Sequence, residues 1–120
     1  MVDDVSAVPR RGWFTARVAG GSMVPTLRNG DLLLVRGERS SGAYRSGDVA
    51  LVHFLARPGM VMVKRVAEHR PDGLWVLGDN PAASDASPSY GVADPLGLVV
   101  ARIWPRPALR RGLRSRSRDG

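Results

Sequence analysis

A mainly β domain, a barrel or folded sheet with short turns and one long polar loop, is the fold this sequence predicts. Three observations point to it: short apolar runs recur along the chain, turn residues interrupt them roughly every ten positions, and helix signals are weak. Trp13 to Val18 is rich in β-favouring residues and is stopped by Gly20 and Gly21. Leu32 to Val35 is a compact apolar run bounded by Asn29-Gly30-Asp31 and Gly37. Gly47-Asp48 opens the run Val49 to Phe54, which Arg57-Pro58-Gly59 is expected to close. Met60 to Ala67 and Leu74 to Leu77 flank Arg70-Pro71-Asp72-Gly73, where Pro presets φ and Gly accepts the turn, so the pair reads as a hairpin. Residues 78–95, full of Gly, Asp, Asn, Pro and Ser, read as a long loop, and Gly97 to Trp104 as the final strand. A helix over Ala108 to Arg114 is allowed, with little to pack against.

Composition narrows the chemistry. The 120 residues are 43% apolar and 24% charged, ordinary globular usage that excludes a disordered or collagenous chain. With no cysteine, disulfides, thiolate catalysis and cysteine zinc sites are excluded. His53 and His69 have unrelated neighbours and read as structural or solvated, so no metal and no cofactor is expected. No apolar run approaches the roughly 20 residues of a membrane span. Met1 to Arg11 lacks the apolar stretch of a secretory signal, so a cytoplasmic protein, at most peripheral to a membrane, is expected. Most of the net +7 lies in residues 106–120, which hold six arginines against one aspartate. The expected organisation is a flexible lead-in (1–11), one domain (12–105) and a basic tail (106–120). The tail reads first as a solvated end and otherwise as a contact to nucleic acid or anionic lipid.

Of 18 basic residues only one, Lys64, is lysine. On a strand of period two it shares a face with Met60, Met62 and Val66, the other face carrying Val61, Val63, Arg65 and Ala67. Burial among apolar groups disfavours the charged form of an amine, and a free amine can take a proton from serine. Alone, such a lysine is as well read as a snorkelling residue on an edge strand. Ser22, between Gly20-Gly21 and Val24-Pro25, sits at an exposed bend, though Gly-Gly-Ser is also an ordinary loop. Gly78-Asp79-Asn80, with Ser84, Asp85 and Ser87 beyond, lies in a loop long and polar enough to suggest function.

Taken in order, Gly20-x-Ser22-Met23-x-Pro25-Thr26-Leu27-x-x-Gly30-Asp31, Gly47-Asp48-Val49, Val63-Lys64-Arg65-Val66 and Gly78-Asp79-Asn80 with Ser84 resemble the signal peptidase I family of Ser/Lys endopeptidases over residues 20–104. The resemblance implies a folded β-sheet peptidase domain of the signal peptidase/LexA-like kind. It implies Ser22 as nucleophile, Lys64 as general base and Ser84 as the hydroxyl orienting the amine. The Ser22 N–H would be the oxyanion donor, Gly21 a supporting residue, Asp79 and Asn80 the loop beside the site, and Met23, Met62 and Val63 the substrate contacts. Departures are Gly20, where many members have a serine, and Ala86 and Pro88, where an Asp–Arg pair is expected. The short chain without a span most resembles the nickel-type superoxide dismutase maturation proteases, which implies a precursor polypeptide as substrate, with nickel belonging to that substrate.

Two other readings stand beside this one. The self-cleaving domain of LexA-type repressors shares the Gly-x-Ser-Met and Val-Lys-Arg segments but needs a DNA-binding unit before the serine. A non-catalytic module gripping nucleic acid or membrane through the arginine tail would make the pairing of Ser22 with the lone lysine accidental.

Overall fold

The computed structural model describes residues 4–83 and 86–114. Among them the expected β domain is found. Strands β1 (Val5–Ser6), β2 (Trp13–Val18), β3 (Leu32–Gly37), β4 (Val49–Phe54), β5 (Arg57–Arg70), β6 (Gly73–Leu77), β7 (Ala93–Trp104) and β8 (Ala108–Leu109) form one antiparallel sheet. Two one-turn helices, α1 (Ser87–Tyr90) and α2 (Arg110–Leu113), follow β6 and β8. The order is β1-β2-β3-β7-β4-β5-β6, and β6 returns to β7 where Leu74 faces Ala93. Strands β7, β4, β5 and β6 thereby close on themselves as a small barrel, and β3, β2 and β1 continue from the far half of β7.

Period-two patterning builds both cores. In β2, Phe14, Ala16 and Val18 turn inward while their neighbours face solvent. In β4 both faces are buried over Val49–Val52, which explains its apolar run there before the half-buried His53: Val49 and Leu51 join one cluster, Ala50, Val52 and Phe54 the other. In β5, Met60, Met62 and Val66 belong to the second cluster and Val61 and Val63 to the first, the alternation expected from sequence.

Several expectations are corrected. The β4–β5 reversal falls at Leu55 and Ala56, and residues 57–59 continue as strand; Gly59 at φ 92 bends β5 without ending it. Strand β7 begins at Ala93, inside the expected loop, because its edge there pairs with β4. Helix α1 lies in that loop too. Its Ser87 Oγ accepts the Val76 N–H at 2.8 Å and its Tyr90 ring packs 5.1 Å from Phe54. Val5, expected in a flexible lead-in, is a strand residue with 1% exposure.

The segment from Ala108 to Arg114 has more to pack against than its sequence suggests. Leu113 is buried in the first core, and Arg110 and Arg114 both clasp Asp48, whose carboxylate is closed to solvent. Burial pushes the Asp48 carboxyl up, but hydrogen bonds from Arg110 and the Arg45 amide, with the charges of Arg110 and Arg114, outweigh it and hold the group below its ordinary value. Its stabilising contribution is therefore present above the unfolded-state value and lost as pH falls through the lowered folded value. Asp48→Asn is expected to flatten the loss of stability on acidification. Thermal midpoints measured from about pH 6 to about pH 3 should fall less steeply than in the parent protein. Among the described residues no helix is long and apolar enough to cross a membrane.

Candidate active site

Ser22 stands in the turn that follows β2. Met23 and Leu27, four residues apart and both at 0% exposure, anchor that turn in the first core, with the Leu27 N–H donating to the Met23 carbonyl. Val24 is left at the surface and Ser22 half-buried at the rim. The bend is braced from outside: Gly20 N–H donates to Asn29 Oδ1 at 2.9 Å, and Arg102 Nη1 to the Thr26 carbonyl at 2.7 Å.

Lys64 lies on β5 opposite Ala50 of β4 and is fully buried. Its Nζ is 3.0 Å from Asp4 Oδ2, but the angles are not those of a hydrogen bond, and among the described residues Nζ has none. The same Oδ2 accepts the Ser22 hydroxyl at 2.8 Å. Ser22 Oγ and Lys64 Nζ thus face one shared oxygen. They can be no farther apart than those two distances laid end to end. The other Asp4 oxygen accepts the Val63 N–H at 2.7 Å, and the Asp4 carbonyl accepts the Ala19 N–H.

The Gly78-Asp79-Asn80 loop clamps the serine turn from below. Asn80 N–H donates to the Ser22 carbonyl and Asn80 Nδ2 to the Gly21 carbonyl at 2.9 Å. Gly78 permits this approach, since a Cβ there would meet the Ser22 carbonyl oxygen at 2.8 Å. Asp79 accepts the Thr26 hydroxyl at 2.6 Å and the Nε–H and Nη2–H of Arg65. Arg65 also donates to the carbonyls of Gly47 and Leu113, tying the loop to the end of α2. A bidentate Arg–carboxylate pair fixes direction as well as distance. The turn bearing Ser22 is therefore set by charge pairing as well as by core packing.

Residues 2–91 match the model of one family, described as Peptidase S24-like. The chain belongs to that family. No curated protein and no solved structure gives a match.

Within this Peptidase S24-like domain, the structure brings together Ser22, Gly21, Lys64, Asp79 and Asn80, all singled out in the sequence. Ser84 lies outside the described residues. The substrate contacts expected of Met23, Met62 and Val63 are corrected: their side chains, at 0%, 2% and 0% exposure, are core residues. Met23 holds the serine turn down, and Val63 reaches the site only through its main-chain N–H. Ala86 and Pro88 can form no charge pair; the ion pair beside the site is Arg65–Asp79, two motif residues whose pairing no local pattern announces. Neither histidine contributes: His53 pairs with Asp94 at 3.5 Å and His69 Nε2 lies against the Ser41 carbonyl. Asp4 was not foreseen at all.

Proposed function

We propose that this Peptidase S24-like chain is a serine endopeptidase in which Ser22 is the nucleophile and Lys64 the general base. One observation carries the reading: the hydroxyl of a serine on a braced bend and the amine of the only lysine converge on a single atom, Asp4 Oδ2. In the reaction, uncharged Lys64 Nζ takes the hydroxyl proton as Ser22 Oγ bonds to the scissile carbonyl carbon. The Ser22 N–H faces the developing oxyanion, Gly20 offering no side-chain donor. The C–N bond breaks as the ammonium returns the proton to the leaving amine. Water then attacks the ester with Lys64 again as base, releasing the carboxylate product and restoring the hydroxyl.

The substrate fits as an extended peptide. Strand β5 pairs with β4 through Arg65 and with β6 from Arg65 onward, so among the described residues the edge away from β4 has no strand partner at Val63, and the amide there, taken by Asp4 Oδ1 in this structure, is the donor a peptide carbonyl would use. The finer assignment is removal of an N-terminal propeptide from the precursor of a nickel-type superoxide dismutase. Incubating that precursor with the protein and weighing the products tests it. One new N-terminus is expected, absent with Ser22→Ala; an uncut precursor alongside cleavage of other peptides would reject this substrate.

A second reading, self-cleavage of the LexA type, draws on the family match. The protein incubated alone would then shorten at a rate independent of its concentration.

A further inference from the structure

We propose that the first strand of this chain is an autoinhibitory strap, with Asp4 as a removable plug in the catalytic centre. The proposal rests on the peptidase reading above and concerns the regulation of the same site.

The strap is held at three points. Its backbone pairs with β2, Val5 opposite Val18 and Ser6 opposite Arg17. The Asp4 carbonyl takes the Ala19 N–H, and the Val5 side chain is buried in the first core. From this anchorage the Asp4 side chain, only 13% exposed, crosses to β5 and fills three positions that a substrate needs. Oδ1 takes the Val63 N–H, the main-chain donor for an extended peptide. Oδ2 takes the Ser22 hydroxyl hydrogen, so the proton that the base must remove is directed at a carboxylate and not at the amine. The same oxygen lies 3.0 Å from the Lys64 amine, so both the amine and the hydroxyl it would deprotonate face the carboxylate.

What Ser22 Oγ faces is therefore a side-chain carboxylate. Attack on it is unproductive, because an ionised carboxylate is a poor electrophile and offers no amine to expel. In this arrangement the Asp4 side chain blocks the site and is not a bound substrate. An incoming peptide must lift Asp4 before its own carbonyl can reach Val63 N–H and Ser22. The strap is short, two residues of ladder, so peptide entry can displace it without opening the barrel.

The experiment compares the parent chain with Asp4→Ala and Asp4→Asn, and with Ser22→Ala as background. Two readouts are taken: Ser22-dependent hydrolysis of acetyl-alanyl p-nitrophenyl ester, and acetylation of Lys64 by acetic anhydride. Lys64 is the only lysine, so the second is read by mass spectrometry on a single peptide. Thermal unfolding shows that each variant is folded, and Asp4→Asn keeps the shape of the plug without its charge should Asp4→Ala loosen the strand. Both variants are expected to raise ester turnover and Lys64 labelling about tenfold, as for removal of a contact worth about 1.4 kcal/mol. A fall in turnover on losing Asp4 would make it a working member of the site and overturn the strap. So would unchanged labelling with unchanged turnover. Faster Lys64 labelling with no Ser22-dependent turnover in any variant, the parent included, would uphold the plug and reject the peptidase reading.

Discussion

Lys64→Arg is expected to lower Ser22-dependent hydrolysis by roughly 10²–10⁴-fold, the usual contribution of a positioned general base. The amine is fully enclosed, and no other lysine exists to replace it. Arginine places a positive charge near Asp4 but does not surrender a proton at working pH, so it separates charge from basicity. Lys64→Met separates packing from chemistry. It fills a similar volume beside Met60, Met62 and Val66, should fold, and should be as inactive as Ser22→Ala. Rates on the p-nitrophenyl ester, with thermal unfolding as control, decide the matter. Retained activity in Lys64→Arg would remove the lysine from the mechanism.

Asp79→Ala carries the largest expected cost in stability. It strands the guanidinium of Arg65, whose side chain is 10% exposed, and deprives the Thr26 hydroxyl of its acceptor. Removing one partner from a buried ion pair costs about 3–5 kcal/mol, because the remaining charge has neither water nor counter-ion. For a chain of this size the thermal midpoint should fall by on the order of 10 °C. Asp79→Asn, which keeps an acceptor oxygen, should fall between the two. Urea unfolding provides the measurement, and a change below about 1 kcal/mol would show that Arg65 finds its partners elsewhere.

Much of this was legible in the sequence, for reasons specific to each element. Strand β2 alternates, β4 is apolar but for His53, and the β5–β6 reversal carries Pro71-Asp72 between Arg70 and Gly73, so local chemistry and tertiary position agree. Ala93-Asp94-Pro95 reads as turn composition, and pairing with β4, with Leu74 of β6 opposite Ala93, makes it strand. Ser22, Lys64, Asp79 and Asn80 were visible because each sits in a short motif. Asp4 was not: it meets Val63 across 59 positions, and an acidic residue before the first strand gives no local sign of its destination. The clasp of Asp48 by Arg110 and Arg114 spans 62 and 66 positions and was hidden in the same way, within a tail read as solvated.

Strand β7 gives its Leu98 to one core and its Leu96 and Val99 to the other, while its backbone serves β3 along one stretch and β4 along the next. The two halves of the molecule consequently share a spine. A fluctuation that melts either would bare the ladder of its neighbour, so the bend that presents the serine and the strand that presents the lysine are kept or lost in a single cooperative event.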